Sequence, residues 1–258
     1  MMRANYHTHT WRCNHAKGTE REYVEAALNR GLELLGFSDH APYPFPWYHL
    51  SWFRMRTDQL SGYVETVCSL RDEFRDRIEI RVGLEAEYYP AYFPELRAML
   101  QDSGVEYLLL GQHYLENEIG AHYSGNVTAD ENHLRQYCSQ TMDAMQTGLF
   151  SCFAHPDLIN FVGDERAWQK HIRQLCREAK NCAIPLEWNL LGVEKGRHYP
   201  NLRFWEIAAE EGCSVILGCD THDPAALPDT ASEEKSLKLI RELGLTLIDR
   251  LDLRPIVK

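Results

Sequence analysis

The chain has 258 residues, 44% of them hydrophobic and 25% charged, the balance of an ordinary globular protein. No run approaches the roughly 18 consecutive apolar residues of a membrane span. The formal net charge of -11 is opposite to that of proteins that grip a phosphate backbone, so membrane insertion and general nucleic-acid binding are both disfavoured.

Taken in order, strands are predicted over 4–8, 34–38, 78–86, 106–112, 151–155, 183–189 and 214–219. Helical patterns fall between or after them, near 19–30, 57–75, 93–102, 130–147, 165–181, 201–211 and 232–243. The first helix carries a capping box, Thr19 with Glu22, and Gly31 as its stop. The helix near 201 follows Tyr199-Pro200-Asn201, a plausible cap. Repeated strand–helix alternation predicts a parallel sheet covered by helices, either doubly wound or closed as a barrel. No Gly-rich nucleotide loop follows the first strand, and no Pro/Gly/Ser linker divides the chain, so residues 1–258 read as one domain. The stretch APYPFPWYHLSWF, 41–53, is too rich in proline for regular helix; it either covers a pocket or packs on the rim for stability. The amino terminus lacks a basic-then-apolar leader pattern. The eight cysteines form no C-x-x-C pair, so reduced thiols in a cytoplasmic protein are expected.

Polar residues gather where these strands end. His7 and His9 close the first, with His15 just beyond; Ser38-Asp39-His40 close the second; Glu85 and Glu87 lie on the third. His113, His155-Pro156-Asp157, Glu187 with Asn189, and Asp220-Thr221-His222 follow at the later ones. In a parallel barrel all carboxyl-terminal strand ends open on one face. Seven of the twelve histidines sit at such places. Burying so many imidazoles and acids together is costly without a partner, and divalent metal ions supply one. A mixed nitrogen and oxygen set suits zinc, manganese or iron rather than calcium. This many donors points to two or three ions, with Glu85 well placed to bridge two of them.

The ordered set His7-Thr-His9, His15, Ser38-Asp39-His40, Gly83-Leu-Glu85, His113, Ala154-His155-Pro156 and Asp220-Thr-His222 resembles the motifs of the PHP (polymerase and histidinol phosphatase) superfamily. The stretch THTWRCNHAKGTEREYVEAALNRGLELLGFSDHAP is especially similar to its histidinol-phosphate phosphatase branch. The resemblance implies a distorted, TIM-like (β/α)7 barrel with a trinuclear site. By position, His7, His9, Glu85 and Asp220 would hold the first ion, Glu85, His113 and His155 the second, and His15, His40 and His222 the third. Asp39 would either orient a ligand from behind or cap the following turn. The implied activity is hydrolysis of a small phosphomonoester, histidinol phosphate foremost, by a metal-bridging hydroxide near Glu85, with Asp220 or His222 moving a proton. Lys195 and Arg197 are candidate phosphate ligands, with Arg54 and Arg56 as alternatives. The branch resembles N-x-x-G-L-R-K after the strand near 187, whereas here Val193 and Glu194 follow Gly192 and the arginine arrives at 197. Other readings are another phosphatase or phosphodiesterase of the superfamily, a barrel amidohydrolase, or a non-catalytic metal-binding regulatory module.

Overall fold

The computed structural model describes residues 1–227 and 229–256. Eight parallel strands follow one another in sequence order: β1 (Ala4–Asn5), β2 (Leu34–His40), β3 (Glu79–Ala86), β4 (Tyr107–Leu110), β5 (Phe150–Phe153), β6 (Leu186–Asn189), β7 (Ser214–Gly218) and β8 (Thr246–Leu247). Helices α1 (Glu20–Arg30), α2 (Leu60–Phe74), α3 (Phe93–Leu100), α4 (Glu131–Gln146), α5 (Glu165–Asn181), α6 (Leu190–Lys195), α7 (Leu202–Glu211) and α8 (Thr230–Glu242) connect them. The sheet curls into the distorted TIM-like barrel implied by the motifs. Its ring closes only at the carboxyl-terminal end, where Thr8 bridges Thr221: His9 N donates to Thr221 O at 3.0 Å and Thr221 N to His7 O at 3.3 Å. At the other end the short β8 pairs with β7 instead.

The central strands are apolar on both faces, as strands buried from two sides must be; every residue of β2 is buried. Outward side chains such as Leu35, Phe37, Val82 and Leu84 meet the helices in one large core. The inward layer near the amino-terminal end holds Tyr6, Leu34, Tyr107, Leu109, Cys152, Ile216 and Leu251. Tyr107 fills the barrel's waist and donates to Tyr6 O at 2.7 Å and Phe37 O at 3.1 Å. Its ring has room because Gly36 and Gly83 stand beside it: a Cβ on either would lie 2.3 or 2.2 Å from Tyr107 atoms.

The capping box at Thr19 and the left-handed stop at Gly31 form as predicted, and the Asn201 side chain caps α7 by accepting from Arg203 N at 3.1 Å. Two elements escaped the sequence reading. Residues 190–195, for which no helix is predicted, form the short α6, capped where Asn189 accepts from Gly192 N at 3.1 Å and stopped by left-handed Gly196. The two-residue β8 is too short to show a pattern.

Candidate metal centre

The strand register decides which side chains meet. His40 lies directly opposite Glu85 across β2 and β3. His7 and His9 follow β1, two residues apart on an extended segment, so both point into the barrel. His155 and Asp220 sit just past β5 and β7 with φ of 30° and 46°. These left-handed backbones are strained for residues with side chains and turn both groups back toward the axis. Space for the carboxylates comes from glycines. A Cβ on Gly111 would stand 2.0 Å from Glu85 Oε1, and one on Gly218 1.8 Å from Glu187 Oε1.

Four donor atoms converge first. His7 Nε2 is 3.1 Å from His9 Nε2, 3.5 Å from Glu85 Oε2 and 3.5 Å from Asp220 Oδ1; His9 Nε2 is 3.6 Å from Glu85 Oε2 and 3.3 Å from Asp220 Oδ1. Ligands about 2.0–2.2 Å from one tetrahedral ion are separated by about 3.3–3.6 Å, so these separations match a coordination shell. The other oxygen of Glu85 turns to a second group, 2.8 Å from His155 Nε2 and 3.6 Å from His113 Nε2. Glu85 therefore spans two donor sets.

A third group is looser. His9, His40 and His222 form one set of mutually close donors, and Cys13, His15 and His222 another. The His15 ring centroid is 4.6 Å from that of His222 and 5.6 Å from that of His40. Cys13 was not foreseen; its place two residues before His15 was the only available signal. His222 Nε2 is a buried atom without a hydrogen-bond partner, as expected of an atom aimed at an ion, and Glu85 Oε2 has His40 Nδ1 3.0 Å away.

Behind these groups a ring of acceptors fixes the imidazoles. His7 Nδ1 meets Glu187 Oε1 at 2.8 Å and His113 Nδ1 meets Glu87 Oε1 at 2.9 Å, while His9 Nδ1 makes no hydrogen bond and has Asp39 Oδ1 3.5 Å away. Such partners orient ligating histidines and raise their basicity. Glu187 and Glu87 were visible at strand ends, but only the fold assigns each to its imidazole. Asp39 also accepts from Thr10 Oγ1 and from His40 N.

The charges are strongly coupled. Burial disfavours a charged Glu85, yet His113, His7 and His40 hold it well below the usual carboxylate range. Asp220 is held low against burial chiefly by His7 and His9. Burial would lower His9, but Asp220 and Asp39 outweigh it and raise the ring to about 9. Burial and the neighbouring His9 push His40 and His222 well below the ordinary imidazole range.

Above the centre lies a cavity of about 510 Å³, lined in part by Trp52, Phe53, Tyr114, Tyr123, Lys195, Arg197 and Tyr199. Arg197 donates to Tyr199 Oη, and Lys195 pairs with Glu194. The other two cations are corrected by the structure. Arg54 is 2% exposed and turned into a nest of carboxylates away from the cavity. Arg56 is outside the cavity and pairs with Asp58 at the surface. Trp52 and Phe53 of the aromatic stretch do line the cavity.

A parallel α/β barrel whose mouth converges imidazoles and carboxylates at coordination distances is a barrel built around a metal centre. The chain belongs to the PHP domain family, whose sequence model matches residues 5–189. It is 31% identical to the probable histidinol-phosphatase of Deinococcus radiodurans, over 92% of each chain. It is 23% identical to the histidinol-phosphatase of Lactococcus lactis, over 95% of this chain and 92% of that one. The crystal structure of histidinol phosphate phosphatase from Lactococcus lactis, complexed with zinc, L-histidinol and phosphate, has the same fold. The TM-score is 0.76 at 21% identity, covering 100% of this chain and 98% of that one. Among the described residues no helix is long and apolar enough to cross a membrane.

Proposed function

We propose that this protein is a metal-dependent phosphomonoesterase that hydrolyses histidinol phosphate to histidinol and phosphate. One observation carries the reading: Glu85 stands between two donor sets, with His7, His9 and Asp220 spaced for coordination on one side and His113 and His155 on the other. His15, His40 and His222 make the third position, for two or three ions in all, of zinc, manganese or iron. Bound divalent ions supply a water acidified to near-neutral pKa and neutralise charge on a transferring phosphoryl group.

The chain's own residues do the rest. Asp220 Oδ1 faces both His7 and His9 while Oδ2 accepts from Asn189 Nδ2 at 3.1 Å, which fixes the carboxylate in the first donor set. His222 also lines the cavity. Arg197 and Lys195 stand on the cavity wall and bind the phosphate oxygens. The likeness to histidinol-phosphatases supports histidinol phosphate as the ester, and a cavity of about 510 Å³ suits so small a substrate.

The test is phosphate release from histidinol phosphate and from sugar and nucleoside monophosphates, with elemental analysis, before and after chelation. Release is expected from histidinol phosphate, lost on chelation and restored by zinc or manganese. Full activity after thorough chelation, or no release by metal-loaded protein, overturns the proposal.

A further inference from the structure

The guanidinium of Arg54 has all three nitrogens engaged. Nε donates to Glu118 Oε2 at 2.8 Å; Nη1 donates to Ala41 O at 2.8 Å and Glu87 Oε2 at 3.2 Å; Nη2 donates to Glu87 Oε1 at 3.0 Å. That same Glu87 Oε1 takes His113 Nδ1, whose opposite nitrogen faces Glu85. Arg54 also packs over the Phe53 ring at 4.3 Å, and Phe53 in turn stands edge-on to His40, 5.0 Å between centroids.

Its partners come from three places at the barrel mouth. Ala41 begins the aromatic stretch after β2, Glu87 follows β3, and Glu118 lies between Tyr114 and Tyr123, which bridge to each other and line the cavity. The tip of the aromatic stretch is largely exposed, Trp47 95% and Trp52 68%, and is tied down where His49 Nε2 meets Glu118 Oε1 at 2.9 Å. Its hold on the barrel therefore depends on Glu118 and on the buried end. Glu87 and Glu118 are both buried, and two close carboxylates there repel unless one cation serves both. A planar guanidinium fork does this; a lysine's point charge does not reproduce it.

We propose that Arg54 is a positioning residue with two duties. It clasps the aromatic stretch and the 114–123 segment to the mouth, and through Glu87 it holds His113 in its ligating orientation. The second duty rests on the metal-centre reading above.

The duties separate experimentally in R54M, R54K and E118Q. The readouts are zinc affinity of chelated protein by calorimetry, chymotryptic cleavage within 47–53, and KM and kcat on histidinol phosphate. R54M is expected to bind zinc about 10- to 100-fold more weakly, the usual effect of losing an outer partner, and to be cleaved faster. R54K keeps the charge without the fork, so its zinc affinity stays impaired. E118Q leaves the Glu87 pair intact, so zinc affinity and kcat hold while cleavage and KM rise. Zinc affinity and cleavage in folded R54M equal to those of the parent overturn the proposal. If R54M does not fold, parent-like cleavage and KM in E118Q overturn it. Failure of the parent itself to bind zinc would instead sink the metal-centre reading.

Discussion

The two ends of the barrel are built by the same strands for opposite purposes. At the amino-terminal end the interior is apolar and filled, with Tyr107 crossing the waist and its hydroxyl set against two backbone carbonyls. At the carboxyl-terminal end the interior is crowded with imidazoles and acids, some of whose buried atoms lack a partner within the protein. Apolar burial stabilises the first end. The second is a cost the rest of the fold carries, since charged and polar groups buried together are unfavourable until a ligand compensates them. Stability and chemistry are thus segregated along the barrel axis, and each end should fail in its own way.

The largest effect should follow E85Q. Removing the carboxylate that serves both donor sets should lower phosphate release by more than the roughly 100-fold typical of an outer-shell change. The melting temperature of chelated E85Q should fall below that of the chelated parent, because the imidazoles that hold Glu85 ionised lose their shared carboxylate. Phosphate release near the parental rate would break the distinction between the ends.

The converse change is Y107A. Truncating a buried aromatic costs about 3–5 kcal/mol, which for a chain of this size lowers the melting temperature by roughly 10 °C. The rate per folded molecule should hold; a specific loss of turnover would show that the waist shapes the mouth after all.

A third measurement contrasts the ends through pH. The His9 imidazole is raised to about 9 by Asp220 and Asp39 despite burial. A group raised in the fold stabilises it fully below the unfolded value of about 6.5 and loses that contribution as pH rises through the folded value. His9 and the carboxylates that raise it should therefore make chelated protein melt at lower temperature at pH 9 than at pH 6.5. Zinc should flatten or reverse the trend, since bound metal requires the unprotonated ring. An identical pH trend with and without zinc would contradict the shared use of that ring.

The smallest effect belongs to neither end. Asp164 caps α5 by accepting from Ala167 N at 2.9 Å. D164A should cost about 1 kcal/mol, a shift of a few degrees in thermal melting, with turnover unchanged.

Most of the mouth was legible because a parallel barrel obliges strand ends to converge, so residues far apart in sequence can be assigned to one place. The strand alternation and the caps at Thr19, Gly31 and Asn201 were legible for the same local reasons that make them form. Arg54 was not. A loop arginine can turn outward to substrate or inward to acids, and only the fold shows Glu87 and Glu118 buried beside it. The α6 helix hid because a six-residue stretch with a central glycine carries almost no periodicity, although its Asn189 cap and Gly196 stop were in plain view. Cys13 hid because proximity to His222 is a property of the turn, not of spacing.

The bridge between Thr8 and Thr221 has a kinetic consequence. It joins residues far apart in the chain, and contacts of such separation carry a loop-closure entropy during folding. His7 and His9 flank one side of that seam and Asp220 and His222 the other. The first donor set thus comes into being only when the ring shuts, and the rate at which refolding protein acquires high-affinity zinc uptake should time that closure.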